Sequence, residues 1–93
     1  SYDPISEAPY TSNNNYWAGA REKCASMGMT LPDRGTLKSI YNQKGNYDTL
    51  PKSGWFWSSS EYSTFYAWHV NFSSGNEGSY RKSSPYGVLC VGN

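Results

Sequence analysis

Apolar positions along the chain change their spacing once, from a helical period in the first half to a period of two in the second. Between Tyr16 and Met27, Trp17, Ala20, Cys24 and Met27 recur at three and four residues and make one stripe of an amphipathic helix. The run Asn13, Asn14, Asn15 supplies an N-cap, and Gly28 stands where the helix would end. After Leu31-Pro32, Asp33 is placed to cap a second, short helix with Leu37, Ile40 and Tyr41 facing inward and Gly45 closing it. Gly35 in its first turn costs about 1 kcal/mol relative to Ala. Residues 1–15, with Pro4 and Pro9, read as extended or loop with a short strand near Ile5, and Asn46 to Gly54 reads as a loop punctuated by Pro51.

From Trp55 onward the alternation is that of strands. Trp55 and Trp57 share one face; Trp68, Val70 and Phe72 alternate with Ala67, His69 and Asn71; Val88 and Cys90 alternate with Leu89 and Val91. Ser74, Gly75 and Asn76 suit a hairpin turn, and Ser83 to Gly87, with Pro85, a looser one. The expected class is α+β: two helices followed by a small twisted antiparallel sheet, in a single domain spanning residues 1–93. Trp17, Trp57 and Trp68 take core positions, whereas Trp55 suits a core or an exposed stacking platform equally well.

Composition sharpens the picture in one region. From Ser58 to Tyr86, Ser, Tyr, Asn and Gly fill 17 of 29 positions, the residue types that dominate antibody loops. Tyr gives contact area at low entropic cost, and the small polar residues give adaptable hydrogen bonds. A serine-rich loop on an ordinary surface is the plain alternative.

Net charge is +1, with eight basic and seven acidic residues scattered and only Arg81-Lys82 adjacent, so no basic patch for nucleic acid or an anionic membrane is expected. No apolar run of about 18 residues is present, so direct membrane insertion by this segment is not expected. The chain reads as mature or excised from a longer surface or secreted protein, any signal, pilin-like helix or lipid anchor having been removed. At 93 residues the core is small. Cys24 and Cys90 fit no metal spacing, and a single disulfide is the natural reading, with two buried free thiols as the alternative. A disulfide would set the domain outside the reducing cytosol, in an extracellular or cell-surface location.

The ordered set Ala20 and Cys24, Leu31-Pro32, Trp57-Ser58-Ser59 with Glu61-Tyr62, Ala67-Trp68, Val70-Asn71-Phe72 and Val88-Leu89-Cys90-Val91 resembles bacterial C-type-lectin-like domains of surface adhesins and pilin-like proteins. The resemblance spans nearly the whole chain. It implies a compact mixed fold with its ends close together and Cys24 bridged to Cys90. A narrower resemblance is to the variable proteins of diversity-generating retroelements, where such a frame holds tolerant positions between its parts. Here those positions are Ser63, Thr64, Phe65, Tyr66, His69, Ser73, Ser74, Asn76, Glu77, Ser79, Tyr80, Arg81, Ser83, Ser84 and Tyr86. Apart from Ser73 and Ser74, we take these as the candidate ligand-binding residues of a bacterial or phage-associated adhesin or receptor-binding protein. The partner expected is a protein or glycan on another cell or surface. A structural, pilin-like subunit whose face mediates filament assembly is the alternative.

Other chemistry finds little support. The calcium motifs of animal C-type lectins (EPN or QPD, and WND) are missing, and Asp3, Glu7, Glu22, Asp33, Asp48, Glu61 and Glu77 are dispersed in sequence, so no metal or cofactor is expected. A catalytic site would have to use His69, the one histidine, with Ser59 and Glu61, and no fixed spacing supports it. His69 is expected on the outward face of its strand, as a polar contact or an idle surface residue.

Overall fold

In the computed structural model the described residues are 2–5 (backbone), 15–47 and 50–92. Glu7, Pro9, Asn13, Asn14 and Asp48 lie outside them. Helix α1 spans Tyr16–Ser26, and the Asn15 side chain accepts from Ala18 N, filling one of the donors a helix start leaves open. Its other end is a Schellman turn. Gly28, at φ +70°, donates to Ala25 O (3.0 Å) and Met29 to Cys24 O (2.9 Å), geometry that a residue with a Cβ adopts only under strain. Trp17, Ala20 and Cys24 are buried as the stripe requires, but Met27, expected on that stripe, is exposed because the helix has ended at Ser26.

Helix α2 spans Arg34–Asn42 and is capped by Asp33, whose carboxylate accepts from Thr36 N at 2.7 Å. That bond holds the Asp33 carboxyl below its ordinary range. Leu37 and Ile40 are buried and Tyr41 packs edge-on against Phe72. The helix stops at Asn42, before the expected Gly45, and a 3-10 turn follows at Lys44–Asn46. Within the loop that follows, Leu50 is buried in the core, an anchor its polar neighbours concealed.

The strands are β1 (Tyr2–Ile5), β2 (Trp55–Glu61), β3 (Tyr66–Asn71), β4 (Glu77–Arg81) and β5 (Val88–Val91). β2, β3 and β4 form a three-stranded antiparallel sheet in that order. Two expectations are corrected. The polar segment Glu77–Arg81, read as variable surface, is the third strand of the sheet, and Val88–Val91 pairs instead with β1, Tyr2 opposite Val91 and Ile5 opposite Val88. Gly87, just ahead of β5, joins the larger sheet through a parallel bridge with Phe56, and β5 itself packs on that sheet through its side chains.

The sheet is covered on both faces. One core holds Trp17, Ala20, Cys24, Leu31, Trp57, Ala67, Val88 and Cys90; the other holds Leu37, Ile40, Leu50, Phe56, Val70, Phe72 and Leu89. Alternation along β2, β3 and β5 therefore sends odd and even residues to different helices, which is why both sets are apolar. β2 is irregular between Trp57 and Glu61, and its serines fill the gap. Ser58 Oγ donates to Trp68 O (2.8 Å), Ser58 O accepts from Trp17 Nε1 (2.7 Å), Ser59 N donates to Pro32 O (2.8 Å), and Ser60 Oγ accepts from Arg34 N (2.9 Å).

Cys24 and Cys90 are bonded, with Cα atoms 5.5 Å apart across 66 residues. In the chain-entropy model a loop of that length contributes roughly 4 kcal/mol. We expect reduction, or the double variant C24A/C90A, to lower unfolding free energy by that order in urea titration.

Candidate functional site

The register of β3 with β4 decides which candidate residues can meet. Directly paired residues share a face, and the pairs are Tyr66 with Arg81, Ala67 with Tyr80, Trp68 with Ser79, His69 with Gly78 and Val70 with Glu77. Tyr80 and His69 therefore lie on the α1 side of the sheet, whereas Tyr66, Ser79, Arg81 and Glu77 lie on the α2 side. The candidate set is divided between two faces.

On the α1 side the rings gather. Tyr86, half-buried, comes from the β4–β5 loop and lies 4.8 Å from Trp57, 5.0 Å from His69, 5.7 Å from Trp55 and 5.9 Å from Tyr80, centroid to centroid. Its plane is within 23° of Trp55 and 22° of Tyr80, so Trp55, Tyr86 and Tyr80 form a row of near-parallel rings. The row is open to solvent at both ends, Trp55 being 46% exposed and Tyr80 45%. This resolves the open question about Trp55, which is a surface ring on a rigid strand.

His69 sits beneath the row. It is not on an outward face, as expected from the alternation with Val70 and Phe72, but 5% exposed, because this face too is covered, by Trp55, Trp57 and Tyr86. Burial pushes its pKa below the usual 6.5, so the imidazole is neutral near pH 7. Its Nδ1 and the indole Nε1 of Trp57 are buried without a hydrogen-bond partner. Burial, and secondarily Tyr80, raise the Tyr86 phenol above its ordinary value.

On the α2 side Trp68, expected in the core, is only half-buried. Arg34 lies over its ring at 4.1 Å and also pairs with Glu77 at 3.1 Å, and Tyr62 meets the ring edge-on at 5.6 Å. At the far end of the hairpin, Asn15, Thr64, Phe65, Tyr66, Arg81, Lys82 and Ser83 line a concavity of about 470 Å³. Phe65 is 74% exposed at its rim. A larger hollow of about 650 Å³ beside α1, at Ala18, Arg21, Glu22 and Ala25, reaches Ser59 and contains none of the candidate ligand-binding residues.

Lys82 is the fixed floor of the smaller concavity. Its ammonium is buried against Glu61 Oε2 (2.7 Å), Thr64 O (2.9 Å) and the Trp17 ring (4.1 Å). That contact lowers the Glu61 pKa. The Lys82 carbonyl accepts from Tyr16 N (2.8 Å) and Trp17 N (3.3 Å), closing the first turn of α1. Of the remaining candidates, Ser63 and Asn76 are exposed in turns, while Ser84 is buried within a tight turn whose N donates to Arg81 O and whose O accepts from Tyr86 N.

The conceivable Ser59, His69, Glu61 constellation is not assembled: Glu61 is engaged by Lys82, and His69 Nδ1 has no carboxylate to orient it. No three potential metal ligands come together among the described residues, and no described helix is long and apolar enough to cross a membrane.

The family model described as a domain of unknown function (DUF8780) matches residues 10–92. The chain belongs to that family. No curated protein matches it. Within this DUF8780 domain, the aromatic row and the Lys82 concavity are the two arrangements that could meet a ligand. Sequence reading missed Gly78 and the buried place of His69; the signal available was a glycine inside the alternating run Glu77–Arg81, which marks a strand where something approaches closely.

The depressed His69 pKa has a direct consequence. As pH falls below 6.5 the unfolded chain takes up this proton before the folded one does, so stability is complete above that value and declines towards the lower folded pKa. We expect the pH dependence of Tm between 7 and 5 to be shallower in His69→Gln than in the parent, by at most about 1.4 kcal/mol per pH unit in the underlying free energy.

Proposed function

We propose that this domain is a recognition module of C-type-lectin-like architecture, displayed outside the cell on a bacterial or phage-associated adhesin or receptor-binding protein. The observation that carries it is the set of exposed large aromatics Trp55, Tyr62, Phe65, Tyr66 and Tyr80, all on or beside one braced sheet. Rings held on rigid strands and ringed by Ser, Thr and Asn are what protein surfaces use as binding anchors. Backbone pairing of β1 with β5, which brings the two ends of the described chain together, and the disulfide between α1 and β5 support the family likeness. The disulfide supports an oxidising location.

Retroelement-driven diversification is part of this reading. Ser63, Thr64, Phe65, Tyr66, Asn76, Glu77, Tyr80, Arg81 and Ser83 are all exposed, so most tolerant positions could change without disturbing either core. His69 and Ser84, which are buried, and Ser79 and Tyr86, which are half-buried, are the exceptions, and variation at His69, Ser84 or Tyr86 would act on packing. Sequencing the coding locus tests the point: a reverse transcriptase beside a near-copy of the Trp57 to Cys90 segment that differs at adenines is expected, and its absence would leave an adhesin of fixed specificity.

Contact residues should separate from structural ones. On a printed array of cell-surface proteins and glycans, Tyr66→Ala and Tyr80→Ala are expected to weaken binding of the purified domain about tenfold, with stability changed by no more than about 0.5 kcal/mol. A large fall in Tm, or assembly of the full-length protein into filaments that cover these rings, would count against the reading.

A further inference from the structure

Gly78 is in the interior of β4, paired with His69, and its φ is not among the positive ones, so no turn explains it. Glycine inside a strand costs roughly 0.5–1 kcal/mol. A Cβ at this position would stand 3.3 Å from His69 Cε1 and 3.4 Å from Nε2. The missing side chain therefore leaves a gap over the Nε2 edge of an imidazole that is otherwise enclosed by Trp55, Trp57 and Tyr86. Tyr80 follows two residues later on the same face, and Asn71, the cross-strand partner of Trp55, stands at the other side. Asn71 uses its Oδ1 to accept from Ser73 N, which leaves its amide NH2 to donate.

We propose that this cradle, the Trp55–Tyr86–Tyr80 row with the Gly78 gap between its ends, binds a neutral pyranose ring of an oligosaccharide. The inference rests on the recognition reading above and assigns a ligand class to one of its two surfaces. The exposed rings at the ends of the row, Trp55 and Tyr80, offer apolar surface to the C–H face of a sugar, and its hydroxyls meet His69 Nε2, the tyrosine hydroxyls and the Asn71 amide at the margin. Charge argues against the other occupant of aromatic cradles, a cation: Arg81 already lies 5.9 Å from the centre of the Tyr80 ring, and the carboxylates of Glu77 and Glu61 are engaged by Arg34 and Lys82. A neutral ligand meets neither repulsion nor the cost of an unpaired charge. Calcium has no part in this arrangement.

Tryptophan fluorescence and calorimetric titration of the purified domain with cellohexaose, mannohexaose, xylohexaose and maltohexaose test it directly, since Trp55 is at the contact. At least one hexasaccharide is expected to bind saturably in the presence of a chelator. Gly78→Ala, which adds only the Cβ, and Tyr80→Ala should each weaken that binding tenfold or more with the fold retained by near-ultraviolet circular dichroism, while Glu22→Ala, on the exposed side of α1, should leave it unaltered. A parallel pull-down on the corresponding insoluble polysaccharides separates recognition of free oligosaccharide from that of a polymer surface. No saturable response to any sugar, equal binding by Gly78→Ala, or a response to tetramethylammonium chloride alone would overturn the proposal. If it fails while array binding persists and still depends on Tyr66, the recognition reading stands and only the ligand class falls.

Discussion

The Cys24–Cys90 bond ties α1 to a strand whose residues reach both cores, Val88 and Cys90 towards α1 and Leu89 towards α2. Everything else in the domain is arranged around that double commitment. A three-stranded sheet with apolar residues on both faces must be covered twice, and among the described residues two α-helices do so, α1 on one face and α2 on the other. β5 stitches the two layers together along one side, where a longer protein would use additional strands. The cross-link fixes the stitch by limiting how far the unfolded chain can expand.

Local signals in the sequence were strong where one residue type has one physical use. Asn15 and Asp33 act as caps because a short side-chain oxygen reaches the free amides of a first turn, and Gly28 takes the left-handed conformation that ends a helix. The alternation of Val88 to Val91 was equally plain. Pairing partners were not legible, because alternation fixes which way a side chain points and says nothing of which strand lies beside it. Alternation alone therefore puts β5 in the main sheet and the polar strand β4 on the surface, neither of which is the pairing observed. His69 was misplaced for the same reason: a rule of one buried face per strand fails when both faces are covered. The division of the candidate residues between two faces was invisible until the register of Trp68 with Ser79 was known.

The frame residues earn a physical explanation rather than a pattern. Ser58, Ser59 and Ser60 stand where β2 departs from regular pairing with β3, and their hydroxyl and main-chain groups meet donors and acceptors from Trp17, Pro32, Arg34 and Trp68. Unpaired backbone groups at such an irregularity would be costly in a buried strand. Lys82 does comparable work at the other end: one side chain and its own carbonyl join the β4–β5 turn, the β2–β3 loop and the start of α1. Both devices brace the sheet beneath its exposed rings.

Tyr66 and Tyr80 stand on opposite sides of that rigid sheet. Arg81, opposite Tyr66 in register and 5.9 Å from the centre of the Tyr80 ring, is a neighbour of both, and apart from what passes through it the free-energy effects of changing the two tyrosines should add. A substitution on one side can then be selected for its own contacts without undoing those on the other. If the domain is the recognition module we propose, it is in this sense two-sided, free to keep one specificity constant while the other is rewritten.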